Sequence, residues 1–506
     1  MIVLDGAGLT PAHVTAVARG GEQVRLSDAA RERNAAAREA IAALLHRGEA
    51  LYGATTGVGA LRDREIGDGD RERFQWNLLR SHAVGAGWPL PPELVRAAMV
   101  VRANQLGAGG AGVATELLDA LVEALNAGLV PIVWELGSLG TGDLSALSEI
   151  ALALLGEGRV LAGGHTEAVA PPRIPVTLGL RDALGFISSN ALSVGRAALL
   201  SVDGRALQEA WLAVAALSFE ALQADTIVLD ARVQAGRGSP AQTAVAARMR
   251  ELLAPTSPVR PATGRLVQDP YPFRVLPQVD GVSWGALSAL EQVLARELNA
   301  RCENALIDDG SAWPTGNFHA AELAAQLDGL RAALAQSATL IAARVSALLD
   351  PRMSGLPPFL AYRPGRDSGM MMLEYTAHEA ASEARSLTMP MATQSVSASL
   401  GVESHASLAT ISARRTAEVL RVLEPLVATE LVVAVRALRL AGRTPVGAGT
   451  TRLFELASDV LPAGFEDRML GTDVEAACGV LARWSLGLDV LAEVEAGALG
   501  HPSGAE

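Results

Sequence analysis

The chain has 506 residues and a formal net charge of −13, and half of its residues are hydrophobic although only 4% are aromatic. A chain of this length and composition can bury a large core, so we expect a globular protein. It contains no lysine, because all 42 basic residues are arginine. This excludes chemistry that depends on lysine: a pyridoxal phosphate Schiff base, a lysine general base and a Walker-type phosphate loop.

The acidic charge and the lack of an arginine-rich run argue against nucleic acid and anionic membranes as partners. The first residues are not typical of a signal peptide, and no uncharged apolar run reaches the roughly 18 residues of a membrane span. Cys302 and Cys478 are isolated and lie outside any CxxC pattern, which favours reduced thiols. We therefore expect a cytoplasmic protein whose partners are small molecules.

Apolar residues recur at three- and four-residue spacing over most of the chain, which predicts a mainly α protein. The clearest helices are predicted at residues 191–222, 284–306, 319–349 and 408–440. Because they exceed the roughly 11 to 12 residues of an average helix, we expect a long central helical bundle. Earlier segments are shorter, so we predict an N-terminal domain at 1–183 and a long-helix domain at 184–506. Helix surfaces rich in alanine and leucine favour a homo-oligomer.

Residues 107–112 read Gly-Ala-Gly-Gly-Ala-Gly and formally satisfy the dinucleotide-binding pattern GxGxxG. That pattern has meaning only between a strand and a helix of a parallel βαβ series, and the sequence predicts no such series. We therefore predict a loop between two helices. No HExxH motif, CxxC motif or carboxylate cluster has the spacing of metal ligands, so no metal is implied.

Residues 137–143 read Gly-Ser-Leu-Gly-Thr-Gly-Asp, in which glycines allow backbone conformations that other residues resist. One interpretation is a tight turn, with Asp143 as the N-cap of a helix over residues 144–155. Another is self-cyclisation, in which a glycine nitrogen attacks the carbonyl two residues earlier and the intervening hydroxyl residue dehydrates to an alkene. Composition alone does not choose between them.

Short motifs are spread in order along nearly the whole chain. They are YGATTG at 52–57, NLLRSH at 77–82, RANQL at 102–106, the segment 137–158, QDPYPFR at 268–274, PQV at 277–279, GNFH at 316–319, SG at 368–369, SE at 382–383 and ESH at 403–405. The ordered set resembles the histidine/phenylalanine ammonia-lyase and aminomutase family, although each motif alone is weak. The resemblance implies that family's α-helical fold, a homotetramer, and an electrophile, a methylidene-imidazolone, that forms from Ala-Ser-Gly.

The resemblance also implies roles for individual residues. Tyr52 is the candidate base that removes a β-hydrogen, and Tyr271 is a second phenol near the amine or the electrophile. Arg274 is expected to hold the substrate carboxylate through a bidentate pair. Gln268 is expected to order the electrophile and the tyrosines, and Phe318 to pack against substrate or cofactor. Local alternatives remain: Tyr271 could brace a loop, and Arg274 could form a structural ion pair.

Two positions bear on the substrate. His82 and Glu403 match places where the histidine-specific branch carries a histidine and a glutamate, so the chain is nearest to the histidine ammonia-lyase branch. A carboxylate that faces an imidazole accepts its N–H and favours its cationic form. This favours histidine or another polar heteroaromatic amino acid. Alternatively, His82 caps or packs locally and Glu403 belongs to a buried ion pair.

The electrophile motif departs from the family pattern. The family's Gly-Ser-x-Gly-Ala-Ser-Gly-Asp has eight residues, whereas the segment 137–143 has seven. The serine of the family's Ala-Ser-Gly is missing from this chain. The triad Gly140-Thr141-Gly142 ends in glycine and can still cyclise, with an added methyl group on the alkene carbon. The triad at 137–139 ends in a leucine that opposes close approach.

A second departure is Ser188-Ser189-Asn190, which stands where the family has Asn-Gly-Thr. Asn190 is two positions late, so on a helix it points elsewhere.

Three hypotheses follow from these departures. The chain is an ammonia-lyase or aminomutase with an ordinary or threonine-derived electrophile; or it keeps the amino-acid pocket and does other acid/base chemistry without the electrophile; or it is a non-catalytic binding partner. Retention of Tyr52 and Arg274 counts against the third, because a scaffold needs neither.

Overall fold

Helices make up most of the chain in the computed structural model, which describes residues 1–161, 169–171, 176–255 and 266–498. The helices are α1 (Pro11–Ala18), α2 (Asp28–His46), α3 (Arg71–His82), α4 (Pro92–Gly107), α5 (Thr115–Asn126), α6 (Leu144–Leu154), α7 (Asp182–Ile187), α8 (Ala191–Leu222), α9 (Ala231–Ala235), α10 (Pro240–Leu252), α11 (Tyr271–Arg274), α12 (Leu276–Glu297), α13 (Ala321–Leu349), α14 (Pro351–Ser354), α15 (Met371–Ser386), α16 (Ala409–Leu440), α17 (Ala448–Ser458) and α18 (Leu470–Ala498). The predicted mainly α class is confirmed.

The strands are short and form two-stranded sheets. They are β1 (Ile2–Leu4), β2 (Val24–Leu26), β3 (Ala86–Pro89), β4 (Val130–Pro131), β5 (Trp134–Leu136), β6 (Val160–Leu161), β7 (Leu306–Asp308) and β8 (Ser311–Trp313). β1 pairs with β2 in parallel, with Ile2 opposite Val24, and β3–β5, β4–β6 and β7–β8 are antiparallel. Residues 108–112 lie in the loop that joins α4 to α5, as predicted, and Gly107 is the last residue of α4.

Three of the four long helices lie where the sequence predicts them. α8 has the predicted bounds, and α13 and α16 begin within two residues of theirs. The helix predicted at 284–306 is wrong at both ends, because α12 runs from Leu276 to Glu297. Leu306 instead begins the β7–β8 hairpin, whose turn residues Asp309 and Gly310 have φ of 46° and 66°. Such left-handed pairs form the tight turns of hairpins, which apolar spacing does not reveal.

Two helical stretches, Asp182–Leu222 and Ala321–Leu349, are long and apolar enough to cross a membrane by length and composition. The most apolar part of the first is fully buried inside the protein and that of the second is mostly buried. A helix that is apolar on all sides is typical of the core of a large soluble protein as well as of a membrane span. Their composition is thus explained by burial.

The chain divides into two compact units of discontinuous sequence. Unit 1 comprises Met1–Val202, Ala289–Asp328 and Pro390–Arg415; unit 2 comprises Asp203–Ser288, Gly329–Met389 and the described residues from Thr416 onward. The boundary expected between residues 183 and 184 stays a prediction.

In unit 1, an apolar cluster lies beneath the loop that carries Tyr52. Ile41 and Leu44 of α2 pack there with Leu51 and Ala54 of the loop and with Ile307 of β7. Burying an isoleucine or leucine side chain stabilises a fold by about 1.5–3 kcal/mol. The apolar residues on both sides of Tyr52 therefore fix the start of its loop.

In unit 2, a buried ion pair joins α13 to α16. Arg344 donates to both carboxylate oxygens of Glu430 over 2.7 and 2.9 Å, and both side chains are fully buried. Ser218 of α8 donates to the same carboxylate over 2.8 Å. The parts of α8, α13 and α16 that belong to this unit thus share one polar contact inside an apolar core. The cysteines Cys302 and Cys478 are both free thiols.

Candidate active site

The phenol of Tyr52 is held by the loop that follows it. The backbone N–H of Gly59 donates to the Tyr52 oxygen over 2.8 Å. Gly59 has φ of 56°, and a Cβ there would lie 2.7 Å from Oγ of Ser399, so the turn requires glycine. A backbone N–H that donates to a phenol oxygen also stabilises negative charge on that oxygen. The half-buried Tyr52 is therefore suited to accept a proton.

The backbone of the same loop is fixed by buried polar side chains. Gln75 of α3 donates to the carbonyl of Gly53 over 3.1 Å and accepts the N–H of Ala183 over 2.9 Å. Arg181 donates to the carbonyl of Tyr52 over 3.1 Å. Burial lowers the pKa of Arg181 to about 10, and nearby Glu303 opposes that effect. These contacts tie Tyr52 to α3 and to the start of α7.

Asp143 ends the segment 137–143 and is fully buried. Its carboxylate accepts hydrogen bonds from Ser138 (2.7 Å), from the N–H and hydroxyl of Ser193 (2.7 and 3.1 Å), and from Thr410 (3.1 Å). Asp143 occupies the predicted N-cap position of α6, but its side chain makes no capping bond to the helix. The donors from Ser193 of α8 and Thr410 of α16 hold the carboxylate in place. The Asp143 side chain therefore anchors the end of the segment to these two helices.

The middle of this segment is held from outside by residues next to α16. The hydroxyl of Ser407 donates to the carbonyl of Gly140 over 2.9 Å, and the N–H of Leu408 donates to the carbonyl of Leu139 over 2.9 Å. Inside the segment, the hydroxyl of Ser138 accepts the N–H of Gly140 over 3.2 Å. The peptide groups at 139 and 140 are therefore fixed in orientation.

The triad Gly140-Thr141-Gly142 has a backbone that suits ring closure. Gly140 and Gly142 have φ of 78° and 95°. Within the described residues, the N–H of Gly142 and the hydroxyl of Thr141 make no hydrogen bond. The nitrogen that would attack and the hydroxyl that would leave are thus both free, while the carbonyl that would be attacked is held. These residues fit a chain-derived electrophile with threonine in the dehydrating position.

The second departure from the family pattern lies beside this segment. The carbonyl of Ser189 accepts the N–H of Asp143 over 2.6 Å. Asn190 donates its side-chain amide to Glu297 over 3.2 Å, and its amide oxygen lies 3.8 Å from the sulfur of Cys302. Asn190 is therefore engaged with Glu297 and Cys302. It directly precedes α8 and does not lie on a helix, so the expectation from helix geometry stays untested.

The RANQL motif forms part of the buried support under Ser189. Gln105 accepts the hydroxyl of Ser189 over 2.5 Å, and Arg102 donates to the carbonyl of Phe186 over 2.8 Å. Arg102 also pairs with Glu303 over 3.3 Å, and both side chains are fully buried. Burial lowers the pKa of Arg102 and raises that of Glu303, while their mutual attraction opposes both effects. This motif is structural in the present fold.

His82 and Glu403 have open polar groups. Nδ1 of His82 lies 2.8 Å from the carbonyl of Leu78; since a carbonyl only accepts, Nδ1 carries a proton, and Nε2 makes no hydrogen bond within the described residues. Glu403 exchanges backbone hydrogen bonds with Ala398, and its half-buried carboxylate makes no ion pair within the described residues. The alternative of a buried ion pair for Glu403 is therefore wrong here, and local bonding uses only one nitrogen of His82.

One stretch, residues 398–408, links several predicted site residues of unit 1, and we call it the 398–408 segment. Ser399 accepts the N–H of Ala60 over 3.2 Å, next to the glycine that holds Tyr52. Ser407 reaches Gly140. Glu403 lies between the two serines. Ser399 and Ser407 are not predicted from the sequence, because no local pattern marks a serine whose partner is more than 250 residues away.

Phe318 is placed next to the same segment through its neighbour. Nε2 of His319 lies 3.1 Å from Nδ1 of His405 and 3.2 Å from the His405 carbonyl. Phe318 itself is half-buried. The structure therefore brings the 398–408 segment into contact with the Tyr52 loop, the Phe318 turn and the Gly140 triad.

Gln268, Tyr271 and Arg274 belong to unit 2. Phe273 is fully buried against Phe219, with ring centroids 5.2 Å apart, and this contact anchors α11. Tyr271 is 67% exposed, and Gln268 is exposed. The guanidinium carbon of Arg274 lies 5.3 Å from the centre of the Tyr271 ring, and its buried Nε has no hydrogen-bond partner within the described residues.

The sequence left two structural alternatives for this motif, an ion pair of Arg274 and a bracing role for Tyr271. Arg274 makes no ion pair with any described residue, so the interpretation as a structural ion pair is wrong. Tyr271 has a contact with Arg274 but an exposed ring, so it is available to a ligand. Among the described residues, no group of three or more histidine, cysteine, aspartate or glutamate side chains could hold a metal ion.

Comparison with known proteins gives one family. The model of the aromatic amino acid lyase family matches residues 9–459. The histidine ammonia-lyase of Geobacillus sp. (strain WCH70) is 35% identical over 498 residues, with 97% of each chain covered. That of Anaeromyxobacter sp. (strain K) is 36% identical over 507 residues, with 96% of this chain and 99% of the relative covered.

Solved structures of related enzymes are similar over the same length. The ergothioneine-degrading enzyme ergothionase of Treponema denticola, in complex with desmethyl-ergothioneine sulfonic acid, has a TM-score of 0.91 at 28% identity, covering 96% of this chain and 99% of that one. Histidine ammonia-lyase of Trypanosoma cruzi has a TM-score of 0.87 at 30% identity, covering 95% and 93%. Tyrosine aminomutase of Streptomyces globisporus has a TM-score of 0.90 at 27% identity, covering 97% and 98%.

Proposed function

Since this chain belongs to the aromatic amino acid lyase family, we propose that it is a carbon–nitrogen lyase that eliminates ammonia from L-histidine or a related aromatic amino acid. The product is the α,β-unsaturated acid. The observation that carries the proposal is the 398–408 segment, which contacts the loop of Tyr52, the turn of Phe318 and the Gly140 triad. A scaffold protein has no need for this convergence.

Elimination requires a base for the β-hydrogen. Tyr52 fills that role, because the Gly59 N–H stabilises charge on its oxygen and the loop fixes its position. The reacting form is the deprotonated phenol, whose oxygen takes the β-hydrogen as a proton and becomes the neutral phenol. Tyr271 supplies a second, exposed phenol that can exchange protons with the amine. Gln268, three residues before Tyr271, is exposed, and the family resemblance assigns to this position the ordering of the electrophile and the tyrosines.

Substrate binding uses the open polar groups. Arg274 binds the substrate carboxylate, since its guanidinium has no carboxylate partner of its own among the described residues. Glu403 accepts an imidazole N–H, and Nε2 of His82 accepts a further N–H of the substrate. Phe318 packs against the aromatic ring of the substrate or against the electrophile. This polar set favours histidine over phenylalanine.

The electrophile of this family is built from the chain, and we assign it here to Gly140-Thr141-Gly142. Such a group, once formed, captures the amine and turns it into a better leaving group. The residues support the assignment through the held carbonyl of Gly140 and the free N–H of Gly142. The chain has no lysine for pyridoxal phosphate, and no metal is proposed.

The test is to incubate the purified protein with L-histidine and to follow urocanate by its ultraviolet absorbance, with L-phenylalanine and L-tyrosine as comparison substrates. We expect urocanate to form from L-histidine faster than the unsaturated acids form from L-phenylalanine and L-tyrosine. Mass spectrometry of the products distinguishes a lyase from an aminomutase, which gives a β-amino acid. No unsaturated acid from any of the three, in a protein whose 137–159 peptide has lost two waters, rejects the proposal.

A second candidate is elimination without the electrophile. The observation that favours it is the missing serine in the seven-residue segment 137–143. A fully alkylated nitrogen leaves as a neutral amine and needs no electrophile to activate it, so the same base and carboxylate site suffice. Ergothioneine is the test substrate, because it is what the T. denticola neighbour degrades. Turnover of ergothioneine but not of histidine, with an unmodified 137–159 peptide, selects this candidate.

We also propose that the protein is a cytoplasmic homotetramer that acts on a small amino acid and has no nucleic-acid or membrane partner. The support is the family placement, the acidic charge and the burial of the two apolar helices. Light scattering of the purified protein tests the assembly, and a monomer at micromolar concentration contradicts it.

A further inference from the structure

The carbonyl of Gly140 has a side-chain donor that the family resemblance did not identify. The hydroxyl of Ser407 lies 2.9 Å from this carbonyl oxygen, is 1% exposed and accepts the N–H of Ala409 over 3.3 Å. In self-cyclisation, this carbonyl receives the attack. We propose that Ser407 is a catalytic donor for closure of the Gly140-Thr141-Gly142 ring, an inference that rests on the proposed chain-derived electrophile.

The steps balance as the loss of two waters. The nitrogen of Gly142 bonds to the carbonyl carbon of Gly140, and the π electrons move to the oxygen, which the Ser407 hydroxyl stabilises. That oxygen leaves as water with the hydrogens of the Gly142 and Thr141 nitrogens, and a C=N bond forms between Gly140 and Thr141. The Thr141 hydroxyl then leaves with its α-hydrogen as the second water, which creates the alkene. No oxidant or reductant is needed.

Charge develops on the Gly140 oxygen only when the nitrogen attacks. A donor that already lies within hydrogen-bond distance of that oxygen, in a water-excluded site, stabilises this charge without reorganisation. The hydroxyl of Ser407 meets both conditions, since it is buried and oriented. The Ala409 N–H that donates to the same hydroxyl further polarises its O–H bond. The neighbouring N–H of Leu408 is directed to Leu139 and takes no part.

The absence of a side chain at position 140 makes room for the Ser407 hydroxyl. A Cβ on Gly140 would lie 2.2 Å from Oγ of Ser407 and 3.0 Å from the nitrogen of Leu408. An alanine, which the family's Ala-Ser-Gly carries in this place, would displace the hydroxyl from the carbonyl. Glycine at position 140 therefore permits the close approach of Ser407, and the two residues form a pair that is specific to this version of the motif.

The experiment measures ring closure by mass and not by activity. The full chain is made by cell-free translation, the reaction is stopped at intervals, and the tryptic peptide that ends at Arg159 is weighed. For Ser407→Ala we expect closure to be about 100-fold slower than in the wild type, as for removal of one oxyanion donor. Ser407→Thr keeps the hydroxyl and is expected to close within about threefold of the wild-type rate.

The matched control is Ser395→Ala. Ser395 accepts the N–H of Ala406 over 2.8 Å, so it anchors the same stretch of chain without touching Gly140. We expect it to close at the wild-type rate, and thermal melting verifies that each variant is folded. Closure of Ser407→Ala at the wild-type rate overturns the assignment, as does equal slowing of Ser395→Ala or a folded Ser407→Thr that closes no faster than the alanine variant.

Failure of this inference is distinct from failure of the proposed function. A wild-type peptide that never loses water removes Ser407 from any role in ring closure, whereas the histidine and ergothioneine assays then decide the lyase activity by themselves. Normal closure in Ser407→Ala, together with urocanate formation, overturns only the role of Ser407.

Discussion

The segment 137–143 in unit 1 and the stretch from Arg274 to Asp280 in unit 2 both carry buried polar groups, but they treat them in opposite ways. In the first, Asp143 accepts four hydrogen bonds. In the second, Nε of Arg274, Oε1 of Gln278 and both carboxylate oxygens of Asp280 have no partner within the described residues.

This difference separates groups that build the site from groups that are left open. A buried polar atom without a partner costs about 1–3 kcal/mol, so a fold keeps one only where something else is gained. Around Asp143, the gain is a rigid backbone for the Gly140 triad. Around Arg274, the open donor is available to a ligand. Substitutions that remove a hydrogen-bonded group or a group without a partner test this division.

The largest expected effect is on Tyr52, whose phenol combines both classes. Its oxygen accepts the Gly59 N–H, while its own O–H has no acceptor among the described residues. For Tyr52→Phe we expect the turnover number with L-histidine to fall by about 10³-fold, because a positioned general base contributes about 10²–10⁴. Steady-state kinetics measure this, with the exposed Tyr375→Phe as control. Near-normal turnover would remove the base assignment.

The second-largest effect is expected for the hydrogen bonds around Asp143. Asp143→Ala removes the carboxylate that accepts from the hydroxyls of Ser138, Ser193 and Thr410 and from the N–H of Ser193. We expect the free energy of unfolding to fall by about 3 kcal/mol. The midpoint of urea unfolding measures it. The exposed Asp63→Ala serves as control and is expected to change the midpoint little. A small change in Asp143→Ala would show that the network does not hold the segment.

The sequence predicts the parts of this fold that obey one local rule. α8 has the predicted bounds because its alanine- and leucine-rich run is buried over most of its length. The end of α12 is not predicted, because Leu306 pairs with Trp313 across a turn, and apolar spacing does not encode that pairing. Hydrophobic periodicity indicates a helix but does not show where a tertiary contact ends it.

The same contrast holds for the candidate site. Tyr52, Arg274 and Glu403 stand in recognisable motifs, so the sequence names them. Ser407 does not, because its role depends on contact with Gly140, 267 positions away along the chain. Asp143 stands at the predicted N-cap position, but the expected capping bond is absent, because hydroxyls from α8 and α16 donate to its carboxylate instead.

A third prediction concerns the open carboxyl of Asp280. Burial raises its pKa from 3.8 to about 6, although the nearby Arg344 opposes the shift. The folded protein therefore keeps a proton that the unfolded chain releases between pH 4 and 6, so the free energy of unfolding decreases as pH rises through this window. Two pKa units correspond to about 3 kcal/mol as an upper value.

Asp280→Asn removes this titration. We expect the variant to lose less stability than the wild type between pH 4 and 7, and to be more stable at pH 7 by up to about 3 kcal/mol. Urea unfolding at several pH values measures the difference, and the exposed Asp459→Asn is the control. Parallel pH profiles for Asp280→Asn and the wild type would mean that the carboxyl finds a partner in solution.

The smallest effect is expected at Arg274, because its loss weakens binding without removing a reacting group. Hydrogen bonds to charged groups contribute about 1.5–3 kcal/mol, so Arg274→Ala should raise KM for L-histidine by about 10- to 100-fold. Arg274→Lys keeps the charge but loses the planar fork, and its KM should lie between the two. The exposed Arg237→Ala is the control. An unchanged KM in Arg274→Ala, with a lower melting temperature, would show that Arg274 stabilises the fold and does not bind the substrate.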